Sequence, residues 1–235
     1  MRTALIADIH GNLVSLDAVL ADIDRRGVDR VVCLGDVAAT GPQPRETIER
    51  VAALGCAVVM GNTDEWLIEP RDESIEDDDT RRIVEIDLWA HQQLDERHLD
   101  LLREYRPLVE LDGLLCFHGS PRSNTEVLLP VTPDDELAAM LAGRTQPIMA
   151  GGHTHMPMLR RHGGSLMVNP GSVGMPFEHP VGGGFRNPPW AEYAIAGEGQ
   201  VEFHRVPVDV GAVTDAALTG GMPNAGWWVK DWAWE

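Results

Sequence analysis

Five short polar clusters each close an apolar run in this 235-residue chain. Asp8-Ile9-His10-Gly11-Asn12 follows residues 3–7, and Gly35-Asp36 follows residues 30–34. Gly61-Asn62-Thr63-Asp64 follows residues 56–60, His118-Gly119-Ser120 follows 114–117, and Gly152-His153-Thr154-His155 follows 148–150. Short apolar runs bounded by turn residues read as buried strands. Polar residues delivered at strand ends match open α/β sheets, which place their sites at the carboxyl ends of their strands.

The intervening segments agree. Asn12 can cap a helix in which Leu13, Leu16, Leu20 and Ile23 recur at helical spacing, closing near Gly27. Residues 44–54 read as a second helix, so the start of the chain is βαβαβ, which predicts parallel pairing. Residues 80–105 are helical with a break near Asp95, and residues 134–141 form a short helix. Hairpins are expected around Asp112-Gly113, Gly163-Gly164 and Gly197-Glu198-Gly199. The first half is therefore βα-rich and the second mostly antiparallel. A two-sheet sandwich covered by helices accounts for both, as one domain over residues 1–210 with a Trp-rich extension over 211–235.

The clusters hold seven potential metal ligands: Asp8, His10, Asp36, Asn62, His118, His153 and His155. A mixed Asp/His/Asn set of this size suits two divalent ions better than one, and two ions sharing ligands fit phosphoester hydrolysis. Asp36 is the best carboxylate for a bridge. Asp8 and His10, like His153 and His155, stand at i and i+2, which share a face on a regular strand.

Net charge constrains the partner. With 37 acidic and 19 basic residues the formal charge is −18, which disfavours a long nucleic acid or an anionic membrane. A small anionic phosphoester remains compatible, because bound cations offset the charge locally. Cys33, Cys56 and Cys116 lie in or beside apolar runs without zinc-site spacing and read as small core residues of a reducing compartment. With no signal-peptide pattern and no membrane-length apolar run, the expected location is cytoplasmic.

The ordered set Asp8-x-His10-Gly11-Asn12, Gly35-Asp36, Gly61-Asn62-x-Asp64, His118-Gly119-Ser120-Pro121 and Gly152-His153-Thr154-His155 resembles the calcineurin-like metallophosphoesterases. Asn169-Pro170-Gly171-Ser172-Val173-Gly174 matches the branch of bacterial predicted phosphodiesterases. The resemblance covers residues 1 to about 207. It implies a four-layer α/β/β/α sandwich with a dinuclear centre at the loop ends of its sheets. It places one metal on Asp8, His10, Asp36 and His155, and the other on Asp36, Asn62, His118 and His153. A metal-activated water would attack phosphorus in line, with Asp36, Asn62 and His118 nearest the chemistry. Mn²⁺ is the first expectation, with Fe, Zn, Ni and Co as alternatives. Asn12, Thr63 and Arg122 are the expected substrate contacts.

Two departures from the family pattern stand out. Many members have His where this chain has Thr63, and a hydroxyl is a poor proton donor to a leaving group. Ala39-Thr40 stands where relatives often have Gly-Tyr, removing an aromatic side chain. The expected activity is a phosphodiesterase. The rivals are a phosphomonoesterase of protein-phosphatase type and a binding scaffold without turnover.

Three segments remain outside the set. Residues 176–190 form a Pro/Gly-rich loop, either a surface loop or a lid with His179 and Arg186 as contacts. The acidic run at residues 72–79 reads as a solvated turn favouring the next helix N-terminus. Trp227, Trp228, Trp232 and Trp234 crowd the C-terminus and are expected to pack back onto the body or across a homo-oligomer contact.

Overall fold

In the computed structural model, residues 1–71, 77–180, 183–197 and 199–232 are described. Much of the acidic run, Gly182, Glu198 at the third expected turn and Trp234 lie outside the described residues.

Two five-stranded sheets face each other. In the first, β1 (Thr3–Ile6) pairs in parallel with β2 (Arg30–Cys33), which pairs in parallel with β3 (Ala57–Val58). On the other side of β1 the antiparallel hairpin β9 (Trp190–Gly197) and β10 (Gln200–Pro207) completes the sheet. The second sheet has the order β4 (Val109–Leu111), β5 (Leu114–Cys116), β6 (Ile148–Ala150), β8 (Ser165–Asn169), β7 (Met158–His162). The hairpins β4/β5 and β7/β8 are antiparallel as expected, yet β5, β6 and β8 run parallel to one another. The second half is thus mixed rather than mostly antiparallel, and its parallel strands bring further C-terminal ends to the same rim.

Period-two alternation explains the layers. Leu5, Ala7, Val32 and Leu34 point between the sheets, where they meet Leu114, Cys116, Ala150 and Val168. Ala4, Ile6 and Cys33 point outward beneath α1 (Leu13–Arg26) and α2 (Pro44–Ala53). Leu115, Phe117, Met149 and Met167 cover the far side of the second sheet with Leu137 and Met140 of α6 (Asp134–Met140). The result is the expected four-layer α/β/β/α sandwich.

Residues 80–105 divide as the break at Asp95 predicts, into α4 (Asp78–Gln93) and α5 (Glu96–Arg103), with Asp95 capping the second. Asp77, from the acidic run, caps α4. Two helices were not expected: α3 (Asn62–Ile68), which begins inside a ligand cluster, and α7 (Val210–Thr219). The chain then closes with α8 (Ala225–Trp228) and a 3-10 turn over Val229–Trp232. Trp228 and Trp232 lie with their ring centroids 5.7 Å apart, buried in the same core as Leu16 and Ile48. Among the described residues the cysteines are free thiols, and no helix is long and apolar enough to cross a membrane.

Candidate metal centre

The seven predicted ligands converge on one rim. Asp8 and His10 follow β1, Asp36 follows β2, Asn62 follows β3, His118 follows β5, and His153 and His155 follow β6. Strand alternation is not what aligns the paired ligands, however. Asp8, His10, Asp36, His153 and His155 all lie beyond their strands with φ between 48° and 69°. This left-handed conformation is uncommon for non-glycine residues and least so for Asn, Asp and His. Such backbone persists only where its surroundings over-determine it. At Asp8, His10 and Asp36 the surroundings are backbone hydrogen bonds: Asp8 N–H to Gly35 C=O at 3.0 Å, His10 N–H to Asp36 C=O at 3.0 Å, and Gly174 N–H to Asp8 C=O at 3.0 Å; His153 N–H instead donates to the Asp8 carboxylate.

Three imidazoles are aimed in the same way. Nδ1–H donates to the Ala39 carbonyl from His10 (3.1 Å), to the Leu34 carbonyl from His118 (2.7 Å) and to the Met175 carbonyl from His155 (2.6 Å). Each bond turns Nε2 inward, the outer-shell arrangement that orients metal-binding histidines. His10 Nε2 and His155 Nε2 then stand 3.0 Å apart. Where both Nδ1 atoms carry the proton of a neutral ring, both Nε2 atoms present lone pairs to each other, which a cation between them would satisfy. Asp36 Oδ2 lies 3.7 Å from His10 Nε2 and 3.2 Å from His118 Nε2, so one oxygen faces both halves of the cluster. Its other oxygen accepts the Thr63 N–H at 2.9 Å. Asn62 Oδ1 is 3.1 Å from His118 Nε2. Among the described residues, two groups have donor atoms close enough for one ion each: Asp8, His10, His155 and Asp36, His118, His153.

Burial and mutual charge set the protonation states. Burial pushes the Asp8 carboxyl up to about 8, against the His118 charge and with that of Asp36. Burial also opposes ionisation of Asp36, but His118, by charge and hydrogen bond, and then His10 outweigh it and hold the carboxyl far below its usual range. His118 is the reciprocal case: burial disfavours its charge, but Asp36 raises it to about 10. Burial and then the neighbouring His10 push His155 down to about 3, and burial also lowers His10 and His153. Without a cation the centre is thus an Asp36–His118 ion pair surrounded by neutral imidazoles.

The remaining expected contacts divide. Asn12 is fully buried and its amide is committed at both ends, Oδ1 accepting from Ser15 N–H and Nδ2 donating to the Gly174 carbonyl, each at 3.0 Å. It caps α1 and braces the rim. Thr63 uses its N–H on Asp36 and leaves a buried hydroxyl with no partner. Arg122 lines a cleft of about 290 Å³ with His118, Met60 and Glu65, its guanidinium paired with Glu126. In the 176–190 loop, Phe177 stacks on His155 with centroids 4.6 Å apart. Arg186 pairs with Glu178, and His179 meets the Gly184 carbonyl.

Further motif residues hold the ligand loops in place. Asp64 receives N–H bonds from Asp36, Val37 and Gly61 at 2.8–3.0 Å, which clamps the β2 loop to the start of α3. Its place three residues after Gly61 is the spacing of a capping box. Ser172 Oγ donates to the Asp8 carbonyl and accepts from Met175 N–H. Asn169 Nδ2 donates to the Gly152 carbonyl. Gly61 and Gly174 are sterically required: a Cβ would overlap Asp36 at the first and the Ile9 carbonyl at the second.

The family model for the calcineurin-like phosphoesterase superfamily domain matches residues 1–185. The chain belongs to this superfamily. Its members are metal-dependent phosphoesterases, which accords with the two residue groups able to hold divalent ions. The solved metallophosphoesterase from Sphaerobacter thermophilus is 29% identical and superposes with a TM-score of 0.79, covering 98% of this chain and 97% of that one. An uncharacterized protein of Methanocaldococcus jannaschii is 28% identical over 244 aligned positions, 94% of this chain and 93% of its own length. A symmetrical bis(5'-nucleosyl)-tetraphosphatase of Pectobacterium carotovorum is 39% identical over 71 residues, 29% of this chain and 25% of that protein.

Proposed function

We propose that the chain is a dinuclear metal-dependent phosphodiesterase of small, soluble substrates. The observation that carries this reading is the position of Asp36 Oδ2, open to both halves of the cluster while Oδ1 is held by Thr63 N–H. One ion would be held by Asp8, His10, Asp36 and His155, the other by Asp36, Asn62, His118 and His153. Two divalent cations, when bound, lower the pKa of water toward neutrality and neutralise charge developing on phosphoryl oxygens. Mn²⁺ suits the carboxylate, imidazole and amide donors.

The chain's own contribution is orientation. The Ala39, Leu34 and Met175 carbonyls fix three ring tautomers, and Asp64 fixes the loop that carries Asp36. Thr63 supports the diester preference. A hydroxyl donates a proton poorly, and losing a general acid costs about 10²–10⁴-fold when the leaving group is basic. Aryl diesters and phosphoanhydrides, whose leaving groups are less basic, suffer less. The match to a bis(5'-nucleosyl)-tetraphosphatase, although short, supports the same substrate range.

The test is a rate comparison in added Mn²⁺ between bis(p-nitrophenyl) phosphate and p-nitrophenyl phosphate. A higher kcat/KM for the diester is expected, with Asp36→Asn reducing both rates toward background. Preference for the monoester overturns the diesterase reading. Failure of the fully loaded protein to hydrolyse either compound leaves a binding scaffold.

A further inference from the structure

Two of the chain's four phenylalanines, Phe177 and Phe185, lie between residues 176 and 190, and the first meets the candidate metal centre. Phe177 lies nearly parallel to the His155 ring, with centroids 4.6 Å apart and 15° between planes. Phe185 meets the edge of Phe177 at 5.4 Å. Between them, Glu178 and Arg186 form a two-rung antiparallel bridge, N–H to C=O at 2.9 and 3.0 Å, reinforced by a side-chain ion pair at 3.2 Å. Asn187 N–H donates to the Asp231 carbonyl at 2.7 Å, which ties the returning strand to the C-terminal segment. The pair of rings is therefore anchored at its base.

Phe185 is nonetheless 49% exposed. An aromatic ring left in water has a cost, and this one is joined through Phe177 to His155, a member of a cluster suited to phosphate-binding cations. The polar cleft with Arg122 lies beside His118, a ligand of the other proposed ion. A phosphodiester carries two substituents on phosphorus. The centre offers a flat apolar surface next to His155 and a polar cleft next to His118.

We propose that Phe177 and Phe185 form a stacking platform for a nucleobase, making the substrate class a nucleoside-bearing phosphodiester. This rests on the diesterase reading above and narrows it. Glycerol or alkyl diesters carry no flat ring to cover Phe185, whereas every nucleobase has a π-face. Because stacking reads the face and not the edge, the platform accepts different bases.

The metal-loaded full chain is assayed on thymidine 5'-(p-nitrophenyl) phosphate and methyl p-nitrophenyl phosphate, which share a leaving group. The expected kcat/KM ratio favours the thymidine ester by roughly tenfold or more. Phe185→Ala brings the ratio near one and Phe185→Tyr keeps it high. A ratio between two esters is insensitive to a general loss of folded enzyme. Calorimetry with thymidine 5'-monophosphate and with methyl phosphate measures the same preference without turnover. Equal binding of the two by the wild-type protein, or a preference that survives Phe185→Ala, overturns the platform. If neither ester is hydrolysed but the nucleotide still binds better through Phe185, the platform stands and the diesterase reading falls. Hydrolysis of both esters at equal kcat/KM does the reverse.

Discussion

Asp64 holds the candidate centre together through backbone amides. Burial raises its carboxyl to about 7, with Asp36 adding to the rise, yet three amides converge on its oxygens. Replacing it with alanine strands the N–H groups of Asp36, Val37 and Gly61 in a dry interior. At about 1–3 kcal/mol for each unsatisfied donor, Asp64→Ala should cost at least about 3 kcal/mol in urea denaturation. Ser172 acts more locally, joining the Asp8 carbonyl to the Met175 amide, while the Met175 carbonyl orients His155. Outer-shell changes of this kind cost roughly 10–100-fold in metal affinity. Ser172→Ala is therefore expected to weaken Mn²⁺ binding in a calorimetric titration by that order while leaving the fold intact. An undiminished affinity would show that Ser172 does not hold the ligand loops in place.

At the scale of elements, the C-terminal segment and the rim are one structure. Trp228 Nε1 donates to the Thr40 carbonyl at 2.9 Å, one residue beyond the Ala39 carbonyl that receives His10 Nδ1–H. Thr40 itself has φ 70° and donates its hydroxyl to Asp87 at 2.9 Å. Trp228→Ala removes a buried aromatic and should cost roughly 3–5 kcal/mol by urea denaturation. Trp228→Phe keeps most of the packing and should cost less. Continuous apolar runs made β1 and β2 legible, because both faces of these strands are covered, and helical spacing made α1 and α2 legible, because their apolar positions face one layer. They did not reveal α3, since its N-cap is the backbone of Gly61 and its first residues belong to the ligand cluster. Nor did they reveal the parallel pairing of β5, β6 and β8, which depends on non-local register across loops. The convergence of the candidate ligands on one rim was readable from their positions at strand ends. The left-handed backbone that aims Asp8 and His10 was not, because it is held by hydrogen bonds from distant loops.

For the whole molecule, a net charge of −18 attracts cations and repels anionic substrate until the centre is loaded. Loading is itself a competition with protons. In the cation-free protein Asp8, raised to about 8 by burial, and His118, raised to about 10 chiefly by Asp36 against burial, both retain a proton at pH 7. Both must give it up to act as ligands, so binding releases protons. His10, His153 and His155 are already neutral at that pH, because burial lowers them. The sign follows: apparent affinity rises with pH, because raising pH removes the competing protons. With one proton displaced from each proposed ligand set, the affinity for each ion is expected to rise with pH across the neutral range. Titrations of the apo protein in buffers of different ionisation enthalpy at pH 7 should report release approaching two protons per fully loaded centre. Release near zero, or an affinity flat from pH 6 to 9, would mean that Asp8 and His118 are already deprotonated before the cation arrives. The Asp36–His118 ion pair would then not be the resting state of the site.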